Sequence, residues 1–579
     1  MSPRQGLTPV PPFAGRAAGW VPLVVTLWVS ACAVAIFGYC VWALDRGLDH
    51  LDGSFYVLSA MHPDAIRLTT TAAHWFAAPL WSMSGGLVAF RAVGLGMLAL
   101  SAGVLALGAA RAFVASGLPD AGRRALAPTL ALTLVGALLY GYAVKFEPSY
   151  NSLATAGVYL GMGLVLLVAG ERSGWRLAVA HGMAGLGLGV AFLCKFSAGL
   201  AALGACLVVV VALGRATKER TLGVLLLLAG MVGSLAMMTA MYTSVGDALD
   251  SFRLGASVFR LAADESATAR LMRNAVEMAE LLRAVGASFG WPLVALGLFA
   301  LTRQPWIALL GVAMAGYKIW TLGFWLGGMD RYWIQPIPLL ACLLLFLLAS
   351  VSAWSHSWKT ATLAATLIGL PFCVAVGSTN PIPMQIMLSL APWGALLGVM
   401  AYTEARAGAP QAPKLLMAAL FSTVVACQVI SAGLRAPYML AHPLPDQRMP
   451  VEVGKLGSFR VDRDTQDLLG QLSSLASTGG LEPGRPFLGL YNVPGLALLL
   501  QGIPPTTPWL FNQASAEAVL THVAPAIIRS ATVAVTLAPD GSRPPMPRQL
   551  ASFPDGYRLC GTVTVPYRQQ RVEIWAPAR

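Results

Sequence analysis

Residues 20–56 read WVPLVVTLWVSACAVAIFGYCVWALDRGLDHLDGSFY. The run from Trp20 to Leu44 is uncharged and long enough to cross a bilayer, which takes about 20 apolar residues. It is longer than a signal-peptide core and has no small-x-small exit, so it reads as a retained first span. Directly behind it come Asp45, Asp49 and Asp52, three carboxylates in eight residues. Such a cluster costs self-repulsion and contributes no packing. It is best explained if the site takes a proton, holds a cation, or does both.

The same reading extends along the chain. Of 579 residues, 56% are hydrophobic and 11% charged, whereas soluble domains carry about 25% charged residues. Thirteen segments read as spans: 20–44, 87–110, 126–144, 152–170, 177–194, 196–214, 221–243, 286–302, 305–322, 332–352, 360–377, 384–402 and 415–434. The formal net charge is +13. The surplus cations lie in short alternate loops: Arg4 and Arg16; Arg111, Arg123 and Arg124; Arg172 and Arg176; Arg215, Lys218 and Arg220; Arg303; Lys359; Arg406 and Lys414. That alternation follows the positive-inside rule and excludes a nucleic-acid partner, for which no basic stripe interleaved with aromatics exists.

The expected layout is a cytoplasmic N-terminus (1–19), a transmembrane region (20–435) with outer juxtamembrane loops 45–86 and 245–285, and a periplasmic domain (436–579). The first loop is expected to hold interfacial helices. In the second, Phe252 to Leu282 has helical spacing and is expected to lie along the interface. After Arg435 the chain turns polar and rich in Pro and Gly. Short β-like runs (Pro486–Tyr491, Ala531–Leu537, Tyr557–Val565, Arg571–Trp575) alternate there with helical stretches (Asp464–Leu475, Ala514–Ile528), which predicts an α/β fold. The fold class is thus a polytopic α-helical membrane protein with a C-terminal soluble α/β domain. The eight cysteines show no CxxC or Cys/His ligand spacing.

Acids and bases from four loops fall on one membrane face: the Asp cluster, Glu147 beside Asn151, Lys195 where two spans meet, and Asp330-Arg331-Tyr332. Each has a competing structural role. Asp52 precedes a helical run and suits a helix cap. Asp45 and Asp49 suit solvated turns. Lys195 suits snorkelling, Arg331 an interfacial anchor beside Trp333, and Glu147 a local pair with Lys145. His50, His62 and His74 match no metal spacing.

These residues, in this order and on this side, resemble the GT-C superfamily of membrane glycosyltransferases, in the branch of protein O-mannosyltransferases and lipid A aminoarabinose transferases. The resemblance rests on Asp52-Gly53-Ser54-Phe55-Tyr56 after the first span, Arg91 at the start of the next, Lys195 after an apolar span, and Arg331-Tyr332 before a Pro-rich span. The branch's Asp-Glu pair is Asp52-Gly53 here, and Asn151 stands where an acid is often found, with Glu147 nearby. The resemblance implies transfer of a sugar from a polyprenyl-phosphate donor to a hydroxyl of a lipopolysaccharide, another glycolipid or a protein, on the outer face of a bacterial inner membrane. Asp52 would be the general base. Asp49, Tyr56, Arg91, Glu147, Asn151, Lys195, Arg331 and Tyr332 would bind substrate, with inversion at the anomeric centre. No cofactor is required by these motifs, and a divalent cation is left open. Alternatives are a polyprenyl-linked glycan flippase and an O-antigen ligase or polymerase. Lys318 as the single mid-span charge disfavours an ion-coupled carrier, and the absence of His from loop 245–285 disfavours the ligase.

Overall fold

The computed structural model describes residues 12–578 except 68, 119–124, 143–144, 172–173, 242–243, 264–265, 352–356, 379 and 403–410. Arg4, Arg123, Arg124, Arg172, Arg406 and most of the expected cytoplasmic N-terminus therefore lie outside the described residues.

Seventeen helices precede the C-terminal unit among the described residues: α1 (Pro12–Ala43), α2 (Asp52–Met61), α3 (Ala73–Ser84), α4 (Leu87–Ala115), α5 (Leu126–Leu138), α6 (Tyr150–Leu167), α7 (Trp175–Cys194), α8 (Phe196–Leu213), α9 (Thr217–Met241), α10 (Val245–Ala263), α11 (Ala267–Thr302), α12 (Pro305–Thr321), α13 (Pro336–Ala349), α14 (Trp358–Ala375), α15 (Ile382–Met387), α16 (Ala391–Tyr402) and α17 (Ala412–Arg435). Each of the thirteen apolar segments carries helix. Among the described residues, nine helices are long and apolar enough to cross a membrane, and α5, α13 and α16 are shorter apolar helices. Large apolar side chains such as Val34, Leu100, Trp291 and Leu301 face outward from these helices, as expected where lipid is the solvent. The protein is a multi-pass helical membrane protein with a C-terminal α/β unit.

Three expectations need correction. Segment 384–402 is two helices, α15 and α16, separated at Leu388–Leu390. Pro392 has no N–H to donate and its ring crowds the preceding turn, so the helix restarts there. Stretch 252–282 is not one interfacial helix. It splits between α10 and α11, and α11 runs on as a single helix through the expected span 286–302. Lys318 is not at mid-depth but in the last turn of α12, where a long side chain reaches the interface.

The C-terminal unit contains a hairpin, β1 (Met449–Val453) with β2 (Gly457–Val461), then α18 (Arg463–Gly479), β3 (Phe487–Leu490), α19 (Pro494–Leu499), α20 (Gln513–Leu520), α21 (Pro525–Ser530), β4 (Thr532–Thr536), β5 (Tyr557–Val565) and β6 (Gln570–Pro577). The main sheet has the order β3-β4-β6-β5, with β3 parallel to β4 and the other pairs antiparallel. The expected helical stretch 514–528 breaks into α20 and α21, because Pro525 starts a new helix. This unit is bonded to the turn between α1 and α2. The Gly47 amide donates to the Arg460 carbonyl at 2.8 Å, the Arg460 amide to the Asp45 carbonyl at 2.7 Å, and the Gly495 amide to the His50 carbonyl at 2.9 Å. Phe55 of α2 stacks on Trp509 with ring centroids 3.8 Å apart. Apolar residues of the membrane helices, of β2 and of α18 share one continuous core.

Candidate functional site

The site is built on the turn between α1 and α2. Arg91, one turn into α4, is fully buried. Its guanidinium donates to Glu147 Oε1 at 2.6 Å and to the carbonyls of Leu44 and Gly47, each at 3.0 Å. The Lys145 ammonium donates to the Arg46 carbonyl at 2.9 Å. Three carbonyls of the turn are thus held by two cations. Gly94, on the same face of α4 as Arg91, lets the 145–149 loop lie against the helix, since a Cβ there would overlap the Phe146 carbonyl. Glu147 therefore pairs with Arg91, and Lys145 is not its hydrogen-bonded partner. Glu147 Oε2 has no hydrogen-bond partner among the described residues.

The turn separates the roles of its carboxylates. Asp49 is the capping group of α2: one oxygen accepts from the Leu51 amide at 2.7 Å and the other from the Gly53 amide at 2.8 Å. Asp45 faces outward and lies 3.1 Å from the Arg460 guanidinium. Asp52 is free of capping duty, which corrects its expected structural alternative. Its Oδ2 accepts one hydrogen bond, from the Tyr438 hydroxyl at 2.6 Å. Burial raises the Asp52 pKa, opposed by the Tyr438 bond. Asp49 is pushed well above the usual carboxylate range, chiefly by burial and next by the Asp52 charge.

Near Asp52 stand Tyr56 and Tyr150, ring centroids 5.9 Å apart. Asn151 follows on α6. The Lys195 ammonium, at the α7–α8 junction, lies 3.4 Å from Asn151 Oδ1 and 3.4 Å from Gln385 Oε1. Burial brings Lys195 down to about 7. Lys145 also falls to about 7, from burial first and the neighbouring Arg91 charge second. A lysine in that state becomes fully charged when an anion arrives.

The structure thus gathers Asp49, Asp52, Tyr56, Arg91 and Glu147 around one turn and joins Asn151 and Lys195 to it through Tyr150. Arg331 and Tyr332 stand apart. Arg331 donates to the Gly323 carbonyl at 3.0 Å. Tyr332 lies near Tyr142, which lines a small cavity together with Lys145, Arg91 and Tyr438. Sequence reasoning missed Lys145, Tyr438 and Gln385 as site residues. Lys145 was visible as a short-loop cation beside Glu147; Tyr438 and Gln385 carried no local signal.

Among the described residues, one group is close enough to share a metal ion: His442, Asp462 and Asp464, with ligand atoms within 4.8 Å of one another. Its contacts are those of a helix start. Asp462 caps α18 through the Thr465 amide and hydroxyl, each at 2.9 Å. His442 pairs with the half-exposed Asp464 at 2.8 Å. The positive end of the helix dipole opposes a cation there.

A cavity of about 880 Å³ opens at the α7–α8 junction, against the first half of α10. His74, Thr69 and Thr71 line it, and they also line a small pocket against Tyr56 and Tyr150.

No known family model matches the sequence, and no curated protein sequence matches it. Solved structures similar to this chain include the following three. ArnT from Cupriavidus metallidurans, bound to undecaprenyl phosphate, has 17% identity, covering 96% of this chain and 98% of that one at a TM-score of 0.41. The Archaeoglobus fulgidus oligosaccharyltransferase in complex with Zn and sulfate has 12% identity, covering 92% and 78% at 0.46. Arabinosyltransferase EmbB from Mycobacterium smegmatis has 15% identity, covering 74% and 42% at 0.29.

Proposed function

We propose that the protein is a membrane glycosyltransferase that moves a sugar from a polyprenyl-phosphate donor to an acceptor hydroxyl. The observation that carries this reading is Asp52: a carboxylate of raised basicity, held by one displaceable hydroxyl, with Lys145 beside the same turn. The acceptor hydroxyl replaces Tyr438 as the donor to Asp52 and gives up its proton there. The acceptor oxygen attacks the anomeric carbon as the bond to the phosphate oxygen breaks. The electron pair leaves with the polyprenyl phosphate, and a single displacement inverts the anomeric centre. Lys145 and Lys195 are the cations for the leaving phosphate. Arg91, Glu147 and Asp49 hold the turn in place, and Tyr56 and Asn151 line the path between Asp52 and Lys195. Arg331 and Tyr332 form an outer mouth toward the lipid. The charge alternation of the loops supports an N-terminus in the cytoplasm and the C-terminal unit outside a bacterial inner membrane.

The test compares wild type with Asp52→Asn in a native lipid extract, following release of free polyprenyl phosphate. Loss of a positioned general base is expected to slow release by about 10²–10⁴-fold. Equal release by both proteins removes Asp52 from the chemistry. No release by wild type, despite bound polyprenyl lipid, favours the flippase.

A further inference from the structure

α2 is ten residues long, and a helix that short is marginal on its own. Its position is set by what it packs against. One side meets α3 and Tyr150. Another meets the C-terminal unit, at points before and after Asp52. Before Asp52, the Gly495 amide at the start of α19 donates to the His50 carbonyl at 2.9 Å. The approach is backbone to backbone, since a Cβ on Gly495 would come within 2.8 Å of that carbonyl oxygen. After Asp52, the Trp509 ring stacks on Phe55 with centroids 3.8 Å apart and planes at 7°, and it meets Tyr56 edge-on at 6.4 Å. Phe55 and Tyr56 stand three and four residues beyond Asp52, on the same face of the helix. A third contact is the Tyr438 hydroxyl on Asp52 itself, from the link between α17 and the unit. The arm that carries Trp509 is stiff. Residues 504–509 read PPTTPW, and the three prolines fix φ along it. The Trp509 amide donates to the Thr507 hydroxyl at 3.3 Å, and Leu510 anchors the next position in the unit's own core.

We infer that the C-terminal unit sets the position of Asp52, with Trp509 as the positioning residue that fixes α2 through Phe55. The membrane helices hold the other half of the turn, where Arg91 and Lys145 bond the carbonyls of Leu44, Arg46 and Gly47. That grip ends five residues before Asp52. From there the chain is registered by Asp49 on its own amides and by the unit's contacts at His50 and Phe55. A carboxylate that must come within hydrogen-bond reach of an acceptor hydroxyl tolerates little drift. Trp509 therefore acts on the rate through Asp52. Calling Asp52 the base rests on the transferase reading; the fixing of α2 does not.

The test uses the full-length protein in nanodiscs and reads two quantities: amide hydrogen exchange in peptides covering 52–61, and release of polyprenyl phosphate in a native lipid extract. Trp509→Ala is expected to speed exchange in α2 by about tenfold or more, and unchanged exchange overturns the inference. Trp509→Phe keeps a stacked ring and is expected to return exchange to within about threefold of wild type. Leu550→Ala removes apolar bulk from the unit's own core and leaves Trp509 on Phe55. There α2 should exchange as in wild type, and equal speeding would mean general loosening and remove Trp509 from the role. Trp509→Ala is also expected to slow release by roughly 10–10²-fold. In an Asp52→Asn background the same change should alter release by less than about twofold, because a positioning residue has nothing left to position. An equal fold-loss in both backgrounds overturns action through Asp52. If Asp52→Asn itself leaves release unchanged, the transferase reading of Asp52 fails, while exchange, which needs no turnover, still decides the positioning of α2.

Discussion

The turn around Asp52 and the 880 Å³ cavity are joined through His74, which lines the cavity and also a small pocket against Tyr56, yet they are built differently. The turn is organised by buried cations, Arg91 and Lys145, that grip backbone carbonyls. The cavity has apolar walls, Phe192, Phe196, Leu235 and Met238, and a rim whose charges are exposed and partnered, as Asp250 is by Arg253 at 3.7 Å. The difference teaches that the shape of the turn depends on buried charge, whereas the shape of the cavity depends on apolar packing. Removing the buried charges should therefore do far more damage than altering exposed ones.

The largest effect on stability is expected from Arg91→Ala. It leaves Glu147 buried without its partner and frees the Leu44 and Gly47 carbonyls. Breaking such a pair costs roughly 3–5 kcal/mol, read as a lowered unfolding temperature in nanodiscs. Arg91→Met with Glu147→Met is expected to recover much of the loss, because no lone charge remains. If Arg91→Ala unfolds like wild type, the cation-organised turn is wrong.

An intermediate effect concerns pH. The Tyr438 bond lowers the Asp52 pKa against burial. Tyr438→Phe removes that bond, so the Asp52 pKa should rise and the acid limb of the rate profile should move to higher pH. A hydrogen bond to a charged group is worth about 1.5–3 kcal/mol, which corresponds to roughly one to two pH units. On the alkaline side, Lys145 and Lys195 lose their protons as pH rises through about 7. Donor capture should weaken there, and saturating donor should push that limb upward because phosphate favours the ammonium form. Lys195→Met is expected to raise KM for the donor and leave the acid limb unmoved. An acid limb that stays in place in Tyr438→Phe would detach Asp52 from the profile.

How much of this was legible depends on the range of the physics. Apolar helices are set by composition over about 20 residues, so the sequence marks each of the thirteen segments as helical although nine helices among the described residues are long and apolar enough to cross a membrane, and the C-terminal α/β unit follows from β-like runs such as Tyr557–Val565, which matches β5. The break at 388–390 was signalled by Pro392 and overridden by the apolar run around it. The Asp cluster was visible, but its division of labour was not. Asp49 caps because its short side chain folds back on amides two and four residues ahead, and three aspartates in eight residues do not announce which one does so. The contacts that define the site are long-range: Arg91 with Glu147 across 56 residues and Tyr438 with Asp52 across 386. No local pattern encodes them, so Tyr438 was passed over and Glu147 was paired with the nearest cation in sequence.

The smallest effect is expected at Asp45, which belongs to the same stretch but faces solvent beside Arg46 and Arg460. Exposed pairs contribute about 0–1 kcal/mol, and the Arg460 strand is also held to the turn by backbone bonds that a side-chain change leaves intact. Asp45→Ala should shift the unfolding temperature by little and leave polyprenyl-phosphate release within about twofold of wild type. Sequence distance from Asp52 is only seven residues, so this variant isolates burial from proximity. A loss comparable to Asp52→Asn would mean that the cluster acts through its summed charge. Near-wild-type release would leave the chemistry with the one carboxylate that faces Tyr438.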